Sequence, residues 1–198
     1  SEILKSAPGT AGNADDTVNV EALFNKYPDM RAWLNIFDTN INYPIVQGID
    51  DAEYLNKDID GDFSLAGSIF LSSLCNGDLN EHYSLVYGHH MDNGAMFGDV
   101  EKFLDKNFFD SHVDGILYTK TEIYDVKIFA VLETDAYNEK IYFPYFANEN
   151  KDDFYNYLQK NAVHMRDVNR NNKVITMSTC TESYTNGRIV LFGELIRR

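Results

Sequence analysis

The chain has 198 residues, a formal net charge of −14 and 44% hydrophobic residues. This length is enough for one globular domain with a substantial core. Acidic side chains occur along the whole chain and repel polyphosphate, so we expect no nucleic-acid partner. The abundance of Tyr and Phe, with β-branched residues in short clusters, favours a β-rich fold over an all-helical one.

The N-terminal segment differs in composition from the remainder. Residues 1–17 are small and polar and are predicted to form a flexible lead, followed by one domain over residues 18–198. Residues 19–27 are predicted to form a short helix that ends before Pro28. The chain contains no apolar run of about 18 residues and no signal-peptide pattern at its start, so it is expected to be soluble as given.

Short runs of alternating or β-branched residues predict about eight strands. The predicted strands cover residues 32–36, 41–46, 67–71, 83–87, 115–119, 124–133, 173–180 and 188–196. Helical spacing is found instead at residues 95–104 and 151–161. A mainly β fold, a closed eight-stranded barrel with short helices, fits this order best.

The seventh predicted strand ends in a cysteine. Because side chains alternate along a strand, Ile175 and Met177 face one side, whereas Ser178 and Cys180 face the other, polar side. A purely structural cysteine more often lies among apolar residues, so this position favours a reactive thiol. A disulfide between Cys180 and Cys75, the chain's only other cysteine, is the alternative.

An arginine begins the strand that follows the cysteine strand. The intervening loop, residues 181–187, ends in an Asn-Gly pair, which tolerates positive φ. If the strands pair antiparallel, Cys180 and Arg188 lie at the same rim of the sheet. A rim arginine is usually just solvated, so the interest of Arg188 depends on the cysteine opposite it.

Two adjacent histidines, His89 and His90, follow the fourth predicted strand. Neighbours on an extended chain point to opposite sides, so one of them can face a cleft, and the residues alone do not decide which. A metal site formed with His82 and Asp92 is an alternative. No H-E-x-x-H or cysteine-rich spacing supports it, and opposed histidines make shared ligation awkward, so we expect no metal.

These segments together resemble the sortase family, and class B within it. The run from Thr176 to Cys180 (TMSTC), followed by Arg188, resembles the T-L-x-T-C and downstream arginine of sortases, with Met177 in place of the commoner leucine. The helix predicted at residues 151–161 is similar to one that class B members carry ahead of the cysteine strand. Further segments in the family's order are Trp33, YPIVQ (43–47), Tyr54-Leu55, GSIFL (67–71), and YGHHM (87–91) through Met96-Phe97.

The resemblance assigns roles to three residues. It implies Cys180 as the nucleophile, His89 as its proton partner and Arg188 as a fixed positive charge. In the family the histidine directly after the glycine is catalytic, which selects His89 over His90. A bond from Cys180 to Cys75 would block the nucleophile, so the resemblance disfavours the disulfide.

The substrate groove is assigned by hypothesis only. Ser178, Thr179 and Tyr184 lie in or beside the cysteine strand and are our candidates for substrate-binding residues.

The family also implies an activity and a location. A cysteine transpeptidase of this kind would cleave a C-terminal sorting motif of secreted proteins through a thioester acyl-enzyme. It would then transfer the acyl group to an amine of a cell-wall peptidoglycan precursor. The resemblance implies no cofactor, a monomer, and a place on the extracellular face of a Gram-positive cell membrane, with the N-terminal anchor absent from this chain.

Two other functions stay open at this point. A cysteine peptidase or amidase would use the same residues but hydrolyse its acyl-enzyme. A non-catalytic β-barrel at the cell surface would bind a ligand without turnover.

Overall fold

The computed structural model describes residues 2–9, 14–180 and 186–198, and for Glu2, residues 14–19 and Cys180 it describes the backbone alone. Within these residues, no helix combines the length and the apolar composition that crossing a membrane would require.

A closed β-barrel forms the centre of the molecule, as the sequence predicts. In the described part of the chain eight strands form a ring in the order β5-β1-β2-β3-β4-β8-β9-β6, which the pairing of β5 with β6 closes. A ninth strand, β7, pairs only with β6. The strands are β1 (Met30–Ile36), β2 (Asn42–Val46), β3 (Ile69–Leu71), β4 (Tyr83–Tyr87), β5 (Asp114–Thr119), β6 (Ile123–Asp135), β7 (His164–Met165), β8 (Lys173–Cys180) and β9 (Gly187–Arg197).

The barrel interior is filled by aliphatic and aromatic side chains. β8 and β9 are buried along most of their length, because β8 lies between β4 and β9, and β9 lies between β8 and β6. A strand that pairs on both edges and is covered on both faces has apolar residues at most positions, and this is true of β4 and β9. The polar face predicted for β8 is therefore buried rather than solvated, with Thr176 and Ser178 at 0% and 1% exposure.

Short helices lie between the strands. They are α1 (Ala14–Lys26), α2 (Lys106–Ser111), α3 (Glu139–Tyr142), α4 (Pro144–Glu149) and α5 (Lys151–Asn161), with 3₁₀ helices at Glu2–Ser6 and Gly98–Leu104. The helix predicted at residues 151–161 is confirmed as α5. It buries Phe154, Tyr155 and Leu158 on one face, and each such side chain contributes about 2 kcal/mol of apolar burial.

The helix predicted at residues 95–104 is wrong in its first part. Only Gly98–Leu104 is helical, and it is a 3₁₀ helix. Met96 has φ of 56°, which lies outside the right-handed helical region and delays the helix start.

The N-terminal helix begins earlier than residue 19, at Ala14. Val20, Leu23 and Phe24 on α1 belong to a second apolar cluster around Trp33. Ile3, in the Glu2–Ser6 helix, is also buried in that cluster. The division into a lead over residues 1–17 and a domain over residues 18–198 stays a prediction.

Candidate active site

Three neighbouring strands bring the predicted site residues to one rim of the barrel. β4 and β8 are parallel, with Tyr87 opposite Ser178, and β8 and β9 are antiparallel, with Cys180 opposite Arg188. The predicted antiparallel pairing of Cys180 with Arg188 is thus confirmed at the level of the backbone. The side chain of Cys180 lies outside the described atoms, as does the whole of Tyr184.

The backbone that follows β4 continues alongside the end of β8. The backbone N–H of Gly88 donates to the carbonyl oxygen of Ser178 at 3.1 Å, which continues the β4–β8 pairing beyond Tyr87. A Cβ on Gly88 would lie 2.4 Å from Ile69 Cδ1 and 2.6 Å from Phe97 Cδ2. Glycine is needed here because the backbone passes directly over the core, and it delivers His89 to the rim beside β8.

The imidazole of His89 is oriented by a main-chain carbonyl. Its Nε2 lies 2.7 Å from the carbonyl oxygen of Leu55, in the loop between β2 and β3. A carbonyl oxygen only accepts hydrogen bonds, so Nε2 carries the proton of this contact. In the neutral ring Nδ1 is then the unprotonated nitrogen, available for proton exchange.

His90 faces away from this site. Its Nε2 lies 2.9 Å from Glu101 Oε2, on the surface next to Asp92. His82 precedes β4 and is buried, whereas His89 follows β4, so the two lie beyond opposite ends of that strand. No group of three or more His, Cys, Asp or Glu that could hold a metal occurs among the described side chains.

Arg188 is held close to its own backbone. Its Nη1 donates to the carbonyl oxygen of Gly187 at 2.8 Å, and its side chain is partly buried. A guanidinium has five N–H donors in a fixed planar arrangement, and those not used in this contact remain available. Arg188 therefore offers donors to a bound carbonyl while its stem is fixed.

His89 and Arg188 line a groove of about 240 Å³. The predicted substrate-binding residues Ser178 and Thr179 line the same groove, and both are buried. Thr179 Oγ1 is buried and has no hydrogen-bond partner among residues 2–9, 14–180 and 186–198. The other lining residues are Asp51, Leu55, Phe70, Tyr87 and Gly88.

An aromatic wall borders the groove and was not predicted. The rings of Phe70 and Tyr87 are 5.3 Å apart, and Tyr87 stacks on Tyr142 with centroids 6.3 Å apart and 8° between the planes. The hydroxyl of Tyr142, in α3, lies 2.9 Å from Ser178 Oγ. Phe70 and Tyr87 belong to segments already singled out in the sequence, whereas nothing local in the sequence around Tyr142 indicates a role.

Cys75 is a buried free thiol that is not among the groove-lining residues, so the disulfide alternative is wrong. Its Sγ accepts a hydrogen bond from the Leu85 N–H at 3.3 Å. Burial raises the pKa of the Cys75 thiol to about 12, so it stays protonated at neutral pH. This is the environment of a structural cysteine.

Comparison with known proteins gives a consistent result. The family model described as the sortase domain matches residues 34–196. Sortase B of Listeria monocytogenes is 35% identical over 203 residues, covering 98% of this chain and 80% of that protein.

Solved structures agree with the sequence comparison. A Streptococcus pyogenes class B sortase involved in pilus biogenesis is 35% identical, with a TM-score of 0.81 over 90% of this chain and 98% of that one. The Staphylococcus aureus sortase B–substrate complex is 26% identical, with a TM-score of 0.82 over 91% of this chain and 86% of that one. The chain therefore belongs to the sortase family as a class B member and is a cysteine transpeptidase that anchors surface proteins.

Proposed function

We propose that Cys180, His89 and Arg188 carry out the transpeptidation, and that the substrates are secreted proteins with a C-terminal sorting motif. The assignment rests on the register of β4, β8 and β9, which brings one end of each of these strands to the same rim of the barrel. Tyr87 is opposite Ser178 and Cys180 is opposite Arg188, so the end of β4, which His89 follows, lies beside the ends of β8 and β9. Neighbouring strands are about 4.8 Å apart, so His89 and Arg188 flank the cysteine strand on either side.

Acylation needs a thiolate and a proton donor. An unperturbed cysteine has a pKa of about 8.5 and is only a few per cent ionised at neutral pH, so a protonated imidazole beside it is needed to stabilise the thiolate. Cys180 Sγ attacks the carbonyl carbon of the scissile peptide bond and forms a C–S bond. The C–N bond then breaks, and His89 gives its proton to the departing amine.

Transfer reverses these roles. An amine of a peptidoglycan precursor attacks the thioester carbon and forms a new C–N bond as the C–S bond breaks. His89 takes the proton that the amine loses, and Cys180 leaves as the thiolate. The resting state is restored with no net change in the enzyme.

The contact with Leu55 fits this proton exchange. Because Nε2 donates to the Leu55 carbonyl, the nitrogen that exchanges protons with the sulfur and the amines is Nδ1. A fixed ring costs less entropy to align in each half-reaction.

Arg188 suits the charge that develops on oxygen. Both half-reactions pass through a tetrahedral intermediate with an oxyanion, and a preorganised charged donor stabilises that state more than the ground state. An arginine guanidinium supplies a permanent positive charge, so the role of Arg188 involves no proton transfer.

The groove supports transfer over hydrolysis. Leu55, Phe70 and Tyr87 form an apolar wall next to His89, which limits water near the acyl group. Ser178 and Thr179, which line the groove, stay our candidates for contacts with the motif. Tyr184 stays a hypothesis for the same groove.

A mixing experiment tests the proposal. The protein is incubated with a panel of candidate motif peptides, with and without triglycine as an added amine, and the products are identified by mass spectrometry. We expect an acyl adduct on the wild type, none on Cys180→Ala, and a peptide–triglycine product. Acid product in place of conjugate at saturating triglycine would identify a hydrolase, and binding without an adduct would identify a non-catalytic module.

The location follows from the same proposal. Substrates that are exported and an acceptor that is a wall precursor meet at the outer face of the membrane. We therefore place the enzyme at that face and expect it to act as a monomer.

A further inference from the structure

The loop between β2 and β3 contributes one carboxylate to the groove. Asp51 lines the groove together with Leu55, Phe70 and Tyr87, and the same groove contains Arg188. A charged side chain in such a position acts on whatever occupies the groove, because the apolar wall weakens the screening by water.

The Asp51 carboxylate is fixed in place. Its Oδ1 accepts from the backbone N–H of Ser73 at 2.6 Å, and its Oδ2 accepts from Ser72 Oγ at 3.0 Å. Both donors follow β3, so the carboxylate is attached to the barrel rather than moving freely on the loop. Each carboxylate oxygen can accept a further hydrogen bond, so capacity remains for a ligand.

The carboxylate of Asp51 has no basic partner among the described side chains. Among the described residues, no Lys, Arg or His forms an ion pair with it, whereas Asp114 is paired with Lys127 and Asp125 with Arg198. Asp51 lies close enough to Tyr87 for its negative charge to add to burial in raising the pKa of the Tyr87 hydroxyl.

We propose that Asp51 is a specificity-determining residue, which selects a sorting motif with a Lys or Arg side chain at one position. The inference rests on the proposed function and deepens it, since it concerns the peptide that occupies the same groove. A cationic side chain would gain a charge-assisted hydrogen bond to a fixed carboxylate, and an acidic one would be repelled.

The other cation that enters the site is the accepting amine in its ammonium form. An amine must lose its proton before it attacks the thioester, and a carboxylate that held it as ammonium would oppose that step. The chemistry therefore favours the motif side chain as the partner of Asp51. Measuring the acylation rate without any acceptor separates the two possibilities, because only the motif cation is then present.

The test uses peptides in which Lys, Gln or Glu replaces each residue of a cleaved motif in turn. Acyl-enzyme formation and slow hydrolysis are followed without an added amine. We expect one position at which Lys exceeds Gln by about tenfold in kcat/KM, or about 1.4 kcal/mol, and at which Glu is worse than Gln. The preference should weaken as salt is added.

Asp51→Asn is the decisive variant because it keeps the size and two hydrogen-bonding atoms while it removes the charge. We expect the Lys preference to disappear at that position, because the Lys peptide should lose more kcat/KM than the Gln peptide. Asp62→Asn, an exposed residue of the same loop outside the groove lining, makes the same change in net charge and should keep the preference. Thermal unfolding of both variants checks that the loop stays folded.

The possible failures are distinguishable. Two results would overturn the role of Asp51 but leave the proposed function standing. One is acyl adducts on the wild type with no charge preference, and the other is a charge preference that Asp51→Asn retains. A cation effect that appears only in the dependence on acceptor concentration would also overturn it. No adduct with any peptide would overturn the proposed function, and the role of Asp51 would fall with it.

Discussion

The Nε2 atom of His89 lies 2.7 Å from the carbonyl oxygen of Leu55, a contact between the rim of β4 and the loop that follows β2. It fixes which nitrogen is protonated in the neutral ring. Asp51, in the same loop, also lines the groove. One loop thus sets both the tautomer of the proposed proton carrier and the charge offered to the peptide.

The tautomer can be observed directly. In Cys180→Ala, where no thiolate pairs with the ring, ¹⁵N NMR at a pH that deprotonates imidazole should show His89 with its proton on Nε2. His164 should show the same tautomer, because its Nε2 lies 2.8 Å from the Leu104 carbonyl. His112 should show the opposite one, because its Nδ1 lies 3.0 Å from the Phe108 carbonyl, and the Ser111 hydroxyl at 2.9 Å, which donates to the Asn107 carbonyl, can accept from it as well.

These internal references make the result unambiguous. A His89 spectrum that matches His112 rather than His164 would contradict the orientation by Leu55, and Nε2 would become the nitrogen for proton exchange.

Arg188→Lys tests whether a planar fork is needed. Lysine keeps the charge but loses the directed pair of donors, so we expect kcat to fall by about 10² to 10³ with a smaller change in KM. Arg197→Lys, at the other end of β9 and paired with Glu122, is the matched control and should leave kcat unchanged. Equal rates for Arg188→Lys and the wild type would reduce the role of Arg188 to its charge.

The contact between Tyr142 and Ser178 predicts a coupled pair. Tyr142→Phe keeps the ring stacked on Tyr87 but removes the hydroxyl 2.9 Å from Ser178 Oγ, which is 1% exposed. Loss of one partner of a buried hydrogen bond costs about 1 to 3 kcal/mol in the free energy of unfolding. Urea unfolding of Tyr142→Phe, Ser178→Ala and the double variant should therefore show a coupling of about 1 kcal/mol.

Tyr145→Phe is the control, because Tyr145 is 57% exposed and should lose almost nothing. Additive effects of the two single changes would mean that the hydroxyls do not stabilise each other.

The sequence predicted the parts of the site that depend on local patterns. Alternation predicted β8 and β9, and the antiparallel pairing that brings Cys180 opposite Arg188 is confirmed. The choice of His89 needed the family resemblance, because its position depends on the parallel pairing of β4 with β8, whose residues are about 90 positions apart. Parallel pairing between distant segments leaves no local signal in the sequence.

The remaining walls of the groove could not be predicted for a related reason. Asp51 and Leu55 lie in an irregular loop, and Tyr142 lies in a helix of four residues, which is too short to show a hydrophobic period. Their roles arise from contacts with Ser72, His89 and Ser178, which only the closed barrel brings near.

The two cysteines should differ strongly in reactivity. Burial raises the pKa of Cys75 to about 12, and the side chain is 6% exposed, so it should resist alkylation at pH 8. We expect iodoacetamide to modify the native protein at Cys180 only, and to modify both cysteines in urea. Native Cys180→Ala should remain unmodified, and its labelling at Cys75 would contradict the burial of that thiol.

The buried His82 should make the free energy of unfolding depend on pH. The side chain is 9% exposed, its Nε2 lies 3.2 Å from the Tyr155 hydroxyl, and burial, aided by the charge of Lys151, lowers its pKa to about 4. In the unfolded chain the pKa returns to about 6.5, so between pH 4 and 6.5 the unfolded state binds the additional proton. The free energy of unfolding therefore falls as the pH drops through this window, by up to about 3 kcal/mol from this residue.

His82→Gln isolates that contribution from the titration of the many carboxylates. Glutamine keeps a polar group near Tyr155 but does not titrate, so the variant should lose less stability than the wild type between pH 6.5 and pH 4. Above pH 7 the two unfolding free energies should differ by a constant, since neither state then exchanges a proton at this position. Urea unfolding at half-unit pH steps gives both slopes, and parallel curves throughout would mean that His82 is protonated equally in the folded and unfolded states.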